Sequence, residues 1–454
     1  MPSPRPTSKT GRRFESLPEL GAPDAVTVLT IYIALLYGIP SDLSIAALGG
    51  AGSPSSLWAL GAGLWWCWYH IQRPDHSHLR ISQPVRVAAF IFLGAAVSSY
   101  IAVGLRPLPS VEASPSDTGL LRILAWLGVL LLAADGIPDH ARFQTLIRRL
   151  VLVGGLVAAL GLLQFATGQS FVDSISLPGF SSSQGYSNVL DRSGFTRSAA
   201  TAMHPLEYAV VLCMILPLAL TLAFEDSGLS KFRRWFPVAA IAFASVLSVS
   251  RSALLGVFAG IAVLAPTWPK TVRRWTVAAI FATGLAVYLL VPGMVGTLTY
   301  LFTGISEDDS AASRTNSYDF ALEYFQRNPV FGRGFGTFLP QYRIFDNQYL
   351  QLLIEMGLFG LLALLGIIIA SIASARAARR MSVDSWDRQV AQSLVAAMVA
   401  GAVLTAFFDA FSFPMAAGTF FLMSGICAAQ WRLANEEQMT GAPEHGNIRR
   451  GTFL

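Results

Sequence analysis

The stretch Asp346 to Gly360, DNQYLQLLIEMGLFG, opens a long apolar run with a carboxylate and an amide at its rim, and a polar segment from about Val291 leads into it. A carboxylate and an amide placed there, at the end of a charged loop, read as the working end of a membrane enzyme. Three arginines could supply anion chemistry around it: Arg197 in GFTRSAATAMHPLEYA, Arg251 in SVSRSALLG and Arg314 in SRTNSYDFALEYFQRNP. Arg314 stands at the start of an expected helix, because Tyr318, Ala321, Leu322 and Phe325 recur at helical spacing and Asn328-Pro329 stops it. Free backbone N–H groups and the helix dipole favour an anion at such a start, so a phosphate beside Arg314 would be doubly stabilised; an exposed arginine near a helix start is the plain alternative. Arg251 falls in a tight turn between two apolar runs, where its plain alternative is snorkelling to headgroup phosphates. Gly332, Gly334 and Gly336 alternate in FGRGFGTF. Turn glycines explain them more readily than a phosphate cradle, since the strand and spacing of the dinucleotide and nucleoside-triphosphate loops are missing.

The elements that must position these residues are transmembrane helices. Of 454 residues, 53% are apolar and 13% charged, and several apolar runs can cross a hydrocarbon core of about 30 Å, which takes roughly 20 residues. The expected fold class is an all-α polytopic membrane protein of about twelve transmembrane helices. The runs fall at about 25–39, 55–70, 84–104, 119–134, 147–166, 204–223, 236–249, 252–266, 275–291, 347–372, 389–408 and 412–430. A surface helix sits in the large loop between spans nine and ten. The domain reading is a polar tail over 1–24, a membrane domain over 25–430 with outer loops at about 167–203 and 292–346, and a second tail over 431–454. No small-residue cleavage pattern follows the first tail, so a signal-anchor start is expected rather than a removed signal peptide.

Alternating sides from an inner N-terminus puts most of the 32 Lys and Arg residues inside, among them Arg86, Arg142, Arg148, Arg149, Arg234, Arg379 and Arg432. That bias fixes both termini as cytoplasmic. The formal charge of +5 is thereby absorbed by topology, and no nucleic-acid partner is expected. Arg192, Arg197, Arg314, Arg327, Arg333 and Arg343 remain on the disfavoured side and ask for another reason. His204 and Glu207 lie near the mouth of the span after Arg197; a histidine there is more often a cap or interface residue than a catalyst. Cys67, Cys213 and Cys427 sit singly in apolar runs, which points to packing rather than disulfides or metal.

These four segments, in this order, carry a resemblance. The chain resembles the O-antigen ligase and Wzy-type polysaccharide polymerase superfamily of bacterial membrane glycosyltransferases, in TRSAATAMHPLEYA, SVSRSALLG, SRTNSYDFALEYFQRNPVFGRGFGTF and DNQYLQLLIEMGLFG. The span layout and the large loop before a late span agree, so the resemblance covers nearly the whole chain. One position departs: the ligases place a histidine before the asparagine of the last motif, where this chain has Asp346 before Asn347, with Gly357 and Gly360 at the expected spacing. That departure leans towards the polymerases.

The resemblance implies a glycan donor linked through pyrophosphate to undecaprenol. A hydroxyl of an acceptor glycan attacks it at the outer face of the cytoplasmic membrane, with inversion and without a metal. No DxD, GxxxxGK or HExxH occurs, and the acidic cluster Glu307, Asp308, Asp309 lacks a histidine partner, so neither metal nor cofactor is expected. Pyrophosphate is a good leaving group, and arginine forks can meet its developing charge; Arg197, Arg251 and Arg314 are the candidates. Asp346 takes the place of the family's proposed base, with Asn347 orienting it or a sugar, although Asp346 would also make a good helix N-cap. Arg333, Tyr349, His204, Glu207 and Asp409 are candidates for acceptor contact or support. Tyr349 has an interfacial anchor as its plain reading, and Glu355, inside an apolar span, must be paired or face a cavity. The partners implied are that lipid-linked oligosaccharide, a glycan or lipid acceptor, membrane lipids and, as a further candidate, a chain-length regulator. Alternatives are ligase-like transfer to a lipid or other envelope acceptor and, in another class, a twelve-span transporter or lipid-linked-glycan flippase.

Overall fold

The computed structural model describes residues 24–72, 83–107, 109–173, 175–182, 189–192, 195–248, 250–291, 293, 296 and 309–441. Glu307, Asp308 and the polar tails at 1–23 and 442–454 lie outside the described residues, as do the side chains of Arg192, Asp309 and Arg314.

Every apolar run read from the sequence falls on a helix. The helices are α1 (Ala25–Gly38), α2 (Pro54–Gln72), α3 (Pro84–Gly104), α4 (Ser110–Gly136), α5 (His140–Thr167), α6 (Pro205–Glu225), α7 (Lys231–Leu247), α8 (Arg251–Leu264) and α9 (Lys270–Leu290). After them come α10 (Asp309–Arg327), α11 (Gln348–Met381), α12 (Ser385–Leu404) and α13 (Pro414–Gly441). Helix α10 covers the segment whose spacing predicts a helix in the large loop. Helices α3, α4, α5, α6, α9 and α11 are long and apolar enough to cross a membrane, and the chain is a multi-pass membrane protein. Local chemistry sets many starts: Asp24, Asp139, Ser230, Ser250 and Asp384 cap α1, α5, α7, α8 and α12 by accepting from backbone N–H groups of the first turn. Proline opens α2, α3, α6 and α13, where its missing N–H costs nothing.

Helix α6, apolar on all sides, is buried along nearly its whole length against α5, α7, α8, α12 and α13. Helix α9 buries only Val287 and stands at the periphery. The polar connections gather at two ends. At one, Asp24 takes Arg142 Nη2 at 2.6 Å, Asp226 takes Arg148 Nε at 2.6 Å, and Asp135 joins Arg86 and Trp66, each at 3.1 Å; Arg432 Nε donates to the Ala134 carbonyl at 3.2 Å. These arginines, assigned by charge bias to the inner side, therefore also tie helices together. At the other end, β1 (Leu43–Ser44) pairs with β2 (Ser181–Ser182), and β3 (Val189–Arg192) with β4 (Phe195–Ser198). There Ser41 N donates to Thr201 O at 2.9 Å, and Gln348 N to Thr405 O at 2.9 Å.

Helix α11 is broken at Gly357, whose φ of 66° and ψ of −166° interrupt the ladder. The segment 329–334 closes the gap. The Arg333 and Gly334 N–H groups donate to the Ile354 and Glu355 carbonyls at 3.0 and 2.7 Å, while the Leu358 and Phe359 N–H groups donate to Pro329 and Val330 at 2.9 and 3.2 Å. Ser99 Oγ from α3 adds a bond to the Glu355 carbonyl at 2.9 Å. Irregular backbone within a membrane helix survives only where protein satisfies it, and here it does. The approach is so close that a Cβ on Gly357 would stand 2.3 Å from the Val330 oxygen, and one on Gly332 2.4 Å from the Glu355 carbonyl carbon. The alternating glycines thus serve backbone contact, as the turn-glycine reading has it.

Gly357→Ala will abolish stable folding, since a left-handed non-glycine residue costs about 1–2 kcal/mol before that clash is added. Gly366→Ala, in the same helix with nothing within 4 Å, will be neutral or raise stability by up to about 1 kcal/mol. Fluorescence-detected size exclusion with a thermal ramp checks both; equal profiles for the two variants would contradict the stitched break.

Candidate functional site

Strand β4 and the turn after α7 bring two of the candidate arginines to one corner. Arg197, buried on β4, donates from Nε to the Ser248 carbonyl at 3.1 Å, and Arg251 follows as the first residue of α8. Between β4 and α6 the chain passes through Ala200, whose φ of 53° is the one positive value for a non-glycine among the described residues. Gln164 of α5 holds that strained residue from both sides, accepting from its N–H at 2.8 Å and donating to its carbonyl at 3.1 Å. His204 then caps α6, its Nδ1 accepting from Leu206 N at 3.1 Å, and its ring packs on Phe413 with centroids 5.8 Å apart. Burial, reinforced by repulsion from Arg197, pushes the His204 imidazole down to about 4, so it is neutral near pH 7. Glu207 is fully buried, accepting from Ser41 Oγ at 2.9 Å, Met203 N at 2.8 Å and Met415 N at 2.6 Å. It fastens α6 to the loop after α1 and to the start of α13.

A cavity of about 240 Å³ lies under the segment 335–345, against α4, the first part of α11 and the α12–α13 connection. Its charged lining is Arg122, Arg343, Glu355 and Asp409. Arg122, on α4, stacks over Trp126 and Phe335 at 5.2 and 5.6 Å from the ring centroids and donates to the Phe411 carbonyl. Its charge acts on both Glu355 and Asp409. Burial pushes the Asp409 carboxyl up to about 7, with Asp346 adding repulsion and Arg122 opposing it. Asp409 lines the cavity and feels the charge of Asp346, which precedes the start of α11.

The remaining predicted residues fall into distinct settings. Asn347, not Asp346, caps α11, its Oδ1 accepting from Tyr349 N at 3.0 Å and Leu350 N at 3.3 Å. The cap reading of Asp346 is thereby corrected: the helix begins one residue later than that reading requires, and the amide takes the role. Tyr349 packs against α12, donating to the Ala402 carbonyl at 2.7 Å and accepting from Thr405 Oγ1 at 2.9 Å. Arg333 pairs with Glu112 of α4, which also takes Arg106 at 3.2 Å and Tyr342 at 2.9 Å. Arg314 has its backbone in α10.

Residues 236–365 match the family model described as O-antigen ligase. That stretch is similar to the O-antigen ligase family. The match runs from α7 to the middle of α11 and takes in Arg251, Arg314, the glycine segment, the break at Gly357 and Asp346–Gly360; it supports the superfamily resemblance read from the motifs and an envelope-glycan enzyme of the ligase or polymerase kind. No curated protein matches the chain. Arg122, Arg197 and Asp409 lie outside the O-antigen ligase match.

Arg122 is the cavity residue that the motifs miss. One signal was present: an arginine inside the apolar run 119–134 is costly in lipid and so asks for a partner or a cavity. Glu355 gave the same signal from α11, and the cavity receives both.

Asp409 gives a pH dependence. Its folded value near 7 lies above the ordinary carboxylate value of 3.8, so the folded state holds the extra proton between those limits and this contribution to stability falls as pH rises from about 4 to about 7. Asp409→Asn removes it. The thermal midpoint of the variant, minus that of the wild type, will be larger at pH 8 than at pH 5 in detergent; a difference independent of pH would contradict the shift.

Proposed function

We propose that this protein is a bacterial cell-envelope polysaccharide polymerase that moves a glycan from an undecaprenyl-pyrophosphate donor to a hydroxyl of an acceptor glycan. The reading is supported by the match of residues 236–365 to the O-antigen ligase family model, by Arg197 meeting the turn before Arg251, and by a charged cavity against the first part of α11. On this reading these elements face the outer side of the cytoplasmic membrane, the twelve apolar helices all cross, and both termini are inside. The alternation of inner arginine ties and outer loops supports it.

The chemistry asks for a place for negative charge and a place for a proton. Arg197, Arg251 and Arg314 receive the pyrophosphate, where forked donors match phosphate oxygens. The acceptor oxygen attacks the anomeric carbon from the face opposite the leaving group and forms the new glycosidic bond. The bond from that carbon to the pyrophosphate oxygen breaks, and configuration inverts. Asp346 accepts the hydroxyl proton. No step asks for a metal or cofactor. Asn347 holds the start of α11 directly after Asp346. Transfer to a lipid or other envelope acceptor is the second reading, favoured by the description of the matching family.

Purified protein with a host undecaprenyl-pyrophosphate oligosaccharide and EDTA will give a ladder of longer lipid-linked products. Asp346→Ala will slow it about 10²- to 10⁴-fold, and Arg251→Ala about 10²- to 10³-fold. Transfer of glycan to a second acceptor without a ladder would make the enzyme a ligase. Movement of labelled lipid across vesicles with no new glycosidic bond would overturn the reading in favour of a flippase.

A further inference from the structure

The cavity holds two polar atoms that protein does not satisfy. Gln348 and Glu355 are each 1% exposed; the Gly336 and Phe338 N–H groups and the Gln351 side chain bear on the Glu355 carboxyl, and Gln348 Nε2 and Glu355 Oε1 are left with no hydrogen-bond partner among the described residues. Both residues line the cavity, seven apart on one helix and so on one face of it. The orientation of the amide is set by its other end: Gln348 Oε1 accepts from Phe411 N at 2.6 Å, which leaves Nε2 as the open donor. Buried polar atoms are nearly always paired, so one donor and one acceptor left open at the same cavity mark a place for a ligand that offers both.

Phe335, Phe345 and Phe411 supply apolar walls. Arg122 and Arg343 face two carboxyl groups, Glu355 and Asp409, so the lining mixes donors and acceptors rather than presenting a cluster of one charge. A volume of about 240 Å³ is below the range of about 300–1,000 Å³ usual for larger ligands, which suits one ring rather than a chain. A neutral sugar has this chemistry: hydroxyls that donate and accept at its edge, and C–H faces that lie on aromatic rings.

We infer that the cavity between Arg122, Gln348, Glu355 and Phe411 is the subsite for one neutral sugar unit of the acceptor glycan, with Gln348 Nε2 donating to one hydroxyl and Glu355 Oε1 accepting from another. The assignment to the acceptor rests on the proposed glycan transfer; the binding of a sugar does not. With the pyrophosphate at the Arg197–Arg251 corner, the acceptor unit in this cavity presents its free hydroxyl towards Asp346, two residues before Gln348 and close enough for its charge to act on Asp409.

The test uses the full chain in nanodiscs and saturation-transfer NMR with methyl glycosides of glucose, galactose, mannose, rhamnose and N-acetylglucosamine, and methyl glucuronide as the charged counter-probe. At least one neutral glycoside will bind the wild type. Glu355→Gln and Gln348→Glu, which keeps the acceptor for Phe411 N, will each weaken it about 10- to 100-fold, the scale for a site that loses a buried polar contact. No binding of any neutral glycoside, binding unchanged in both variants, or preference for the glucuronide would overturn the subsite, leaving the cavity to ordered water. A second measurement needs no variant: the bound glycoside will inhibit transfer competitively against acceptor and not against donor, and competition with donor would overturn the assignment to the acceptor. Binding lost in both variants, in a protein that transfers nothing, would sink the glycan-transfer reading while the sugar site stands.

Discussion

The exchange of hydrogen bonds between the break in α11 and the segment 329–334 is the interaction on which the rest of the site depends. Two carbonyls and two N–H groups freed at Gly357 find partners in that segment, and in a hydrocarbon surround each would otherwise cost several kcal/mol (about 4–8 on a cyclohexane scale). Closing the break has a geometric result. It clamps the segment 335–345 over α4 and α11, with Gly336 so close to α4 that a Cβ would meet the Pro115 oxygen at 2.8 Å, and the space left beneath is the cavity. Glu355 sits at the lip of the break, its carbonyl used in the stitching and its side chain turned to that space.

Charge is arranged around this clamp in two tiers. Fixed pairs such as Arg333 and Arg106 with Glu112 brace the outer segments against α4, where a buried carboxylate with several donors resists removal of any one. At the cavity, Arg122 acts on both Glu355 and Asp409, and Gln348 and Glu355 each keep an atom open. Groups held in a partly satisfied state are suited to exchange partners with a substrate. The arginines at the opposite end act on helix packing and side preference together.

Helix positions were legible in the sequence because lipid enforces them: a run such as 84–104 must be a helix, and it is, as Pro84–Gly104. Helix α10 was legible as a helix through its spacing and its Asn328-Pro329 stop. Side-chain roles were less so. Asp346 and Asn347 are equally good caps in isolation, and only the backbone register of α11 assigns the role to Asn347. His204, at a helix start, was legible as a cap or interface residue, and it caps α6. Arg122 was hidden because a lone arginine in an apolar run carries no spacing, and its partners come from residues hundreds of positions away. The break at Gly357 has the same cause, since a glycine in a helix shows its purpose only with the segment that packs on it.

A structure of the protein in a nanodisc, determined with an undecaprenyl-pyrophosphate oligosaccharide bound, tests the account most directly. The account predicts pyrophosphate density against Arg197 and Arg251, with the anomeric carbon facing Asp346 and the break at Gly357 still stitched. Pyrophosphate seated at the end where Arg142 meets Asp24, or α11 re-formed as a continuous helix with the cavity closed, would contradict it.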